Sequence, residues 1–171
     1  MNSHPPAHST SDRERFELER RVLQGEKPEI SAPQPAFKLK TFIVEDSPVI
    51  RESLIATLEE LVPVEVVGTA EDELSAVKWL TQPDNHFDLL IVDIFLKSGS
   101  GLGVLRFSSG LAKPHKVVVL SNYATSDIRR KCFELGADKV FDKSTEIDAL
   151  ILYCARVAAG DAGNTVPGAL N

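Results

Sequence analysis

Residues 39–48 read LKTFIVEDSP, an apolar run of strand length that ends in two acidic residues and a helix start. The run Leu39–Val44 is rich in β-branched and aromatic side chains, which favour a buried strand. Ser47 is a preferred N-cap residue, and Pro48 suits the first helical position because the N–H that proline lacks has no partner there. The apolar positions of this helix, expected to face the core, are Val49, Ile50, Leu54, Leu58 and Leu61. A strand followed at once by a helix is the repeating unit of an α/β protein.

The same unit recurs along the chain. Further strands are predicted at Val64–Gly68, Leu89–Val92, Val117–Leu120 and Lys139–Phe141. The segments between them have helical apolar spacing, and the last helix is expected to end at Gly160. Five strands that alternate with helices predict a doubly wound α/β fold, a five-stranded parallel sheet with helices on both faces.

The composition places limits on function. The 171 residues carry a formal net charge of -6, which disfavours a nucleic-acid-binding protein, since such proteins need a basic surface. No apolar run approaches the roughly 20 residues that span a bilayer, and the first residues lack the apolar core of a secretory signal, so a cytoplasmic location is expected. Cys132 and Cys154 lack metal-ligand spacing and are expected to be reduced core residues, whereas His86 and His115 are expected to be solvated.

One domain with two short flanking segments is expected. Residues 1–37 hold five of the ten prolines and predict a flexible extension with one possible short helix. Residues 38–159 are expected to form the folded domain, and residues 160–171 a flexible tail. After Val157 we expect too few residues for a DNA-binding or catalytic output module.

Polar side chains follow four of the predicted strands. Glu45 and Asp46 follow the first strand, Asp93 the third and Ser121 the fourth, and Lys143 comes two residues after the fifth. The carboxyl ends of parallel strands share one edge of a sheet, where such folds bind their ligands. Carboxylates held together repel one another unless a cation lies between them, and Mg²⁺ prefers oxygen ligands. A single acid at a strand end is usually a turn or cap residue, but the full set favours a magnesium-dependent phosphoryl-transfer site.

Four motifs carry a resemblance to a known family. They are FIVEDSPVIRESL at 42–54, LLIVDIFLKSGSGLGVL at 89–105, VVVLSNYA at 117–124 and GADKVFDKS at 136–144. Their order and spacing resemble the receiver domains of bacterial two-component response regulators, of the single-domain chemotaxis type, over about residues 38–158. The resemblance implies the flavodoxin-like strand order 2-1-3-4-5.

The resemblance also implies a role for each polar residue of this edge. Asp93 would accept a phosphoryl group from the phosphohistidine of a sensor histidine kinase or of a histidine phosphotransfer protein. Lys143 would pair with one phosphoryl oxygen and Ser121 would hydrogen-bond another, drawing in the loop after the fourth strand. The implied Mg²⁺ ligands are Glu45 (mostly through water), Asp46, Asp93 and the backbone carbonyl of Phe95.

Four positions depart from the family pattern, and two of these, Lys97 and Asn122, remove no group that the chemistry requires. The family's rotating aromatic residue, three positions before the lysine, is replaced by Val140, with Phe141 beside it. Ser144 stands where the family commonly has a proline after the lysine. Because valine has no ring to rotate, we expect any surface change to be carried by the loop after the fourth strand and by the fourth helix.

Arg129, Arg130 and Lys131 form a local basic cluster in the predicted fourth helix. Composition favours a solvated face. The resemblance instead implies a surface for a partner or a homodimer, made of the fourth helix, the fifth strand and the fifth helix, and including Val140 and Phe141. Both interpretations stay open.

Phe95 and Tyr123 follow two residues after Asp93 and Ser121. The resemblance places both rings beside the phosphoryl group. We expect them to restrict the hydrolytic water and so to prolong the lifetime of the phosphorylated form.

We therefore interpret the chain as a stand-alone response regulator that signals through an unidentified output protein, without direct DNA or membrane binding. It would be no enzyme in the usual sense, since its only chemistry would be its own phosphorylation and dephosphorylation. One alternative is a degenerate receiver that acts as a phosphorylation-independent interaction module, which Val140 favours. An aspartyl-phosphate phosphatase is the enzymatic alternative, but such enzymes generally need a second acid where this chain has Phe95.

Overall fold

The computed structural model describes residues 37–160. The strands are β1 (Leu39–Val44), β2 (Val64–Ala70), β3 (Leu89–Val92), β4 (Lys116–Ser121) and β5 (Lys139–Asp142). The helices are α1 (Pro48–Leu61), α2 (Glu73–Leu80), α3 (Gly101–Ser109), α4 (Ser126–Glu134) and α5 (Ile147–Ala158). The helix predicted in the N-terminal extension and nearly all of the predicted tail lie outside the described residues. Between residues 37 and 160, no helix is long and apolar enough to cross a membrane.

The strands form one parallel sheet in the order β2-β1-β3-β4-β5. This arrangement confirms the predicted doubly wound fold and its strand order. Strands β2, β4 and β5 are each longer than predicted from their apolar segments. Backbone pairing continues past these segments because it does not depend on side-chain polarity. Ala70 of β2 pairs with Val44, and Ser121 of β4 pairs with Asp142 of β5.

Apolar side chains cover both faces of the sheet. Phe42 and Val44 of β1 point into a core under α2, α3 and α4, whereas Ile43 points into a second core under α1 and α5. This alternation follows from the two-residue period of a strand. Cys132 and Cys154 are buried and free, one in each core, as predicted.

Helix α1 buries less of its predicted apolar side than expected. Its buried residues are Leu54 and Leu58. Val49, Ile50 and Leu61 are 77%, 39% and 60% exposed, so the prediction is wrong for these three. Val49 and Ile50 lie in the first helical turn and border an open cavity instead of the core. At the other end, Val62 takes the buried place expected of Leu61 as the chain turns back toward the sheet.

Trp79, the single tryptophan of the chain, packs on the central part of the sheet. Its ring stacks on that of Phe42, with centroids 4.0 Å apart and an interplanar angle of 9°. A Cβ at Gly68 of β2 would come within 2.5 Å of the indole nitrogen, so glycine leaves room for the ring. Trp79 is half-buried and packs against the core under α2, α3 and α4.

A serine–histidine pair lies at the amino edge of the sheet, where β4 begins. Ser108 of α3 is fully buried, and its hydroxyl oxygen lies 2.7 Å from Nε2 of His115. The other ring nitrogen, Nδ1, lies 2.8 Å from the carbonyl oxygen of Lys113. A carbonyl only accepts, so Nδ1 donates to it, and in the neutral form of the ring Nε2 accepts the Ser108 proton. His115 is thus half-buried and bonded, and its prediction as a solvated residue is wrong because the fold brings α3 against it.

Candidate functional site

The carboxyl edge of the sheet brings the predicted acidic residues together. Glu45 and Asp46 follow β1, and Asp93 follows β3, the strand paired with β1. One carboxylate oxygen from each of the three lies within 4.8 Å of the other two. Glu45 is 3% exposed and Asp93 7% exposed, whereas Asp46 is half-buried. The parallel topology therefore gathers carboxylates that are far apart in the sequence.

Lys143 lies among these acids. Its Nζ donates to Oδ2 of Asp93 at 2.6 Å and to Oε2 of Glu45. The lysine side chain is only 8% exposed. Burial by itself would lower the pKa of Lys143, but the hydrogen bonds to Asp93 and Glu45 outweigh it and raise the pKa above its ordinary value. The lysine therefore stays charged at neutral pH.

The charges of this cluster do not balance. Three carboxylates face one ammonium group, which leaves two negative charges in excess when all are ionised. The donor atoms that face one another are oxygens, and Mg²⁺ binds through a few carboxylates while it keeps several waters. The residues present therefore fit a hard divalent cation such as Mg²⁺.

Local hydrogen bonds orient the strand ends that carry the acids. The N–H of Ser47 donates to Oε1 of Glu45 at 3.0 Å, and the Arg51 guanidinium donates to the Glu45 carbonyl oxygen at 2.7 Å. The N–H of Phe95 donates to Oδ1 of Asp93 at 3.2 Å. Both carboxylates are thus held by their own turns before any ligand binds.

Helix α3 begins directly against Asp93. The N–H of Gly101 donates to the carbonyl oxygen of Ile94 at 3.0 Å. A Cβ at residue 101 would lie 2.0 Å from the Asp93 carbonyl oxygen, so this close approach requires glycine. Ser100 caps α3 by accepting the N–H of Leu102 at 3.1 Å.

Glu73 of α2 fixes the loop between β3 and α3, a role that no sequence pattern indicated. Its Oε2 accepts the N–H of Ser100 at 2.8 Å. The N–H of Glu73 donates in turn to the carbonyl oxygen of Ser98 at 3.3 Å. The glycine-rich stretch 99–103 therefore wraps around a protein carboxylate.

A cavity of about 170 Å³ opens beside the acids. Its lining combines charged, polar and aromatic residues: Glu45, Asp46, Ser47, Ile50, Asp93, Phe95, Asn122, Tyr123 and Lys143. The rings of Phe95 and Tyr123 meet edge to face, with centroids 5.3 Å apart, and are 50% and 64% exposed. Both aromatic residues thus border the site, as expected from the resemblance. Asn122 was missed, although its position next to Ser121 at a strand end is a usable signal.

Ser121 is the predicted site residue that the structure keeps apart from the cavity. It is the last residue of β4, is fully buried and does not belong to the cavity lining. Its hydroxyl oxygen accepts the N–H of Tyr123 at 3.4 Å. Contact between Ser121 and a ligand of the cavity would therefore require the loop at residues 122–125 to shift.

Val140 and Phe141 point to opposite faces of β5. Val140 is 4% exposed and packs in the core under α2, α3 and α4. Phe141 is 8% exposed and packs in the core under α1 and α5, where its ring centroid lies 6.0 Å from that of Tyr153. Of these two residues, the one on the α4 side of β5 is therefore the valine, which has no ring to rotate.

The three residues of the basic cluster differ in their contacts. Arg130 pairs with Asp127 at 3.0 Å and Lys131 with Glu134 at 4.0 Å, and all four side chains are exposed. The Arg129 guanidinium, in contrast, is half-buried and makes three hydrogen bonds within the domain. A partner or homodimer role for this face stays a prediction.

Known proteins resemble the chain in sequence and in fold. The family model for the response regulator receiver domain matches residues 41–155. A protein-glutamate methylesterase/protein-glutamine glutaminase of Myxococcus xanthus is 32% identical over 116 residues, 67% of this chain and 33% of that protein. A probable transcriptional regulatory protein of Picosynechococcus is 30% identical over 122 residues, 68% of this chain and 48% of that protein. The chain thus spans a third to a half of the length of these curated relatives.

One solved structure illustrates the shared fold. The signal receiver domain of the putative response regulator NarL from Mycobacterium tuberculosis matches with a TM-score of 0.61 at 24% identity, over 70% of this chain and 97% of that one. At this level of identity the likeness concerns the fold alone.

Proposed function

Because the chain belongs to the response regulator receiver domain family, we propose that it is a magnesium-dependent phosphoaspartate switch with Asp93 as the phosphoacceptor. One observation carries the proposal. The Asp93 carboxylate borders an open cavity while it is held between a charged lysine and two further acids. Such a group is placed to act as a nucleophile toward a phosphoryl group.

The proposed step transfers a phosphoryl group from a phosphohistidine to Asp93. A carboxylate oxygen of Asp93 forms a bond to phosphorus, the bond between phosphorus and the imidazole nitrogen breaks, and the imidazole leaves with the electron pair and takes up a proton. A carboxylate is a weak nucleophile, so the rate depends on in-line positioning and on neutralising the charge of the transferred group. Lys143 supplies one positive charge next to Asp93, and Ser121 would hydrogen-bond the product once the loop at residues 122–125 has shifted.

Glu45 and Asp46 would hold Mg²⁺ together with Asp93 and the Phe95 carbonyl. When bound, the ion would offset the negative charge that the phosphoryl group brings to the cavity. The excess of two negative charges in the cluster supports this assignment.

The phosphohistidine donor has to reach Asp93, so it has to cover the rim of the cavity. Ile50 lines this cavity, and its neighbour Val49 is the more exposed of the two, at 77% against 39%. They line a second cavity of about 380 Å³ between the start of α1 and the start of α5. We place the docking surface of the sensor kinase or phosphotransfer protein here, since exposed apolar side chains beside a reactive group are typical of a contact surface. The signal would then pass through protein contacts, in the cytoplasm.

The test is phosphorylation of the full chain by acetyl phosphate, with and without Mg²⁺, followed by intact mass spectrometry. We expect one added phosphoryl group that requires Mg²⁺ and is lost in Asp93→Asn. Asp127→Asn, which removes an exposed carboxylate outside the cluster, is the matched control and should behave as wild type. Equal labelling of both variants would contradict the assignment of Asp93.

A phosphorylation-independent interaction module is the second candidate. The buried Val140 favours it, because a valine on the α4 side of β5 cannot rotate as a ring would in response to Asp93. Absence of any magnesium-dependent label on wild-type protein, with the fold intact by circular dichroism, would support this candidate in place of the first.

A further inference from the structure

Arg129 of α4 contacts three separate parts of the chain. Its Nε donates to the carbonyl oxygen of Ala124, in the loop between β4 and α4, at 2.9 Å. Its Nη1 donates to the carbonyl oxygen of Val140, in β5, at 2.8 Å. Its Nη2 donates to Oε2 of Glu146, directly before α5, at 2.7 Å. We call these three hydrogen bonds the Arg129 bridge.

Glu146 extends the bridge toward the site. The same Oε2 accepts the N–H of Asp142 at 2.7 Å, and Asp142 is the residue before Lys143. The hydrogen bond from Arg129 holds the pKa of the Glu146 carboxyl below its usual value, so this group is ionised at neutral pH. Glu146 also occupies the N-cap position of α5. The bridge therefore reaches both the backbone next to Lys143 and the first turn of α5.

The two loops joined in this way both contribute to the cavity. Residues 122–125 contribute Asn122 and Tyr123, and residues 143–146 contribute Lys143. The ion pair of Arg129 with Glu146 is about one third exposed on each side, so its charge alone contributes little to stability. The bridge differs from an ordinary surface ion pair because its three hydrogen bonds run from one guanidinium to three separate segments of the chain. A planar guanidinium holds its donors in a fixed fork.

We propose that Arg129 is a positioning residue that couples movement of residues 122–125 to β5 and to the start of α5. The inference rests on the proposed function, in which Ser121 contacts the phosphoryl group only after this loop shifts. Because the fork is rigid, a displacement of Ala124 relative to Val140 either carries Val140 and Glu146 along or breaks a hydrogen bond. The coupling would thus use the carbonyl oxygen of Val140, at a position whose side chain has no ring to rotate.

The test follows backbone amide NMR shifts of the full chain when Mg²⁺ and beryllium fluoride, an analogue of the phosphoryl group, are added. Wild type and Arg129→Ala are compared with Arg130→Ala, the matched control, whose guanidinium pairs with Asp127 at the surface. In wild type and in the control we expect shift changes at residues 93–95, 121–125 and 140–150. In Arg129→Ala we expect the changes at 93–95 to persist and those at 146–150 to be lost.

Two further variants keep the test decisive. Glu146→Ala leaves the hydrogen bonds to Ala124 and Val140 in place, so it should lose the response of α5 while β5 still responds. Arg129→Lys keeps the charge without the fork and should also lose the response of α5.

The outcomes separate the two proposals. A full response of residues 146–150 in Arg129→Ala, or a response confined to the cavity in wild type, would overturn the coupling role alone. Loss of analogue binding in folded Arg129→Ala would also overturn it, because Arg129 would then be part of the site itself. No shift change in wild type would contradict the proposed function, and the coupling role with it.

Discussion

Two buried polar clusters lie at opposite edges of the same sheet. At the amino edge, Ser108 is 0% exposed and hydrogen-bonds His115. At the carboxyl edge, Glu45 is 3% exposed and, with Asp93, hydrogen-bonds Lys143. Burial and short hydrogen bonds are therefore common to both clusters and do not tell which one has a function.

Charge balance and access separate the clusters. The Ser108 hydroxyl lies 2.7 Å from one ring nitrogen of His115, and the other ring nitrogen donates to the carbonyl of Lys113, so the polar atoms of this pair are satisfied within the chain. Its serine also has no exposed surface that a substrate could reach. The carboxyl-edge cluster keeps uncompensated negative charge beside an open cavity. An imbalance of charge next to reachable space is thus a better indicator of function than a serine beside a histidine.

Of the substitutions that test this comparison of the two clusters, replacement of Lys143 should have the largest effect. Lys143→Met should lower the rate of phosphorylation by acetyl phosphate by about a hundredfold or more, because one preorganised positive charge is lost. It should also lower the free energy of unfolding by about 3 kcal/mol, because Glu45 and Asp93 would lose their shared buried partner. Added Mg²⁺ should restore more stability to the variant than to wild type. Urea unfolding with and without Mg²⁺ measures this, and an equal effect of Mg²⁺ on both proteins would contradict the charge argument.

The aromatic pair offers a smaller test at the same edge. Phe95→Asn opens the cavity mouth, so the phosphorylated form should lose its phosphoryl group several times faster than wild type. The decay of the phosphorylated species, followed by intact mass after removal of acetyl phosphate, measures this. Equal lifetimes would remove Phe95 from the proposal that the rings restrict water.

The amino-edge pair should affect stability and leave the chemistry unchanged. Ser108→Ala removes the donor to His115 and should lower the free energy of unfolding by about 1 kcal/mol, with an unchanged rate of phosphorylation. The adjacent Ser109→Ala is the matched control, since that exposed hydroxyl donates to the carbonyl of Arg106 at 2.8 Å within its own helix. If Ser108→Ala were phosphorylated more slowly than wild type at an equal folded fraction, the conclusion that the amino-edge pair affects stability alone would be wrong.

The last test concerns alkaline pH. Burial raises the pKa of Tyr153 to about 12 from 10.0, and the charge of Asp138, next to the amino end of β5, adds to the shift. The folded state binds this proton more tightly than the unfolded chain, so its contribution to stability is complete below pH 10 and declines as the pH rises toward 12. Tyr153→Phe should therefore lose less stability than wild type between pH 10 and 12. Urea unfolding across this range checks it, and parallel pH profiles would exclude a role for Tyr153.

Features dictated by the topology were the ones best predicted from the sequence. Parallel strands place their carboxyl ends together, so Glu45, Asp46, Asp93 and Lys143 could be assigned to one edge from the strand positions alone. Their proximity in the structure agrees with that assignment. The individual chemical roles of these residues stay predictions until phosphorylation is measured.

Contacts that depend on how the helices pack against the sheet could not be predicted from the sequence. The burial of His115 depends on where α3 ends, and the exposure of Val49 depends on how far the first turn of α1 extends beside the cavity. Arg129 was predicted only as one of three basic residues. Its partners Val140 and Glu146 are 11 and 17 positions away, in other parts of the fold, and no local pattern links them.

The stacking of Trp79 on Phe42 has a practical consequence for spectroscopy. The chain holds one tryptophan, so its emission has a single source, a ring packed on β1, an interior strand of the sheet. Neither ring belongs to the lining of the cavity. The tryptophan emission should therefore change when the packing around Trp79 is lost. It should change little when Mg²⁺ binds or when the protein is phosphorylated. The protein thus contains its own optical probe of unfolding, which is separable from the occupancy of its site.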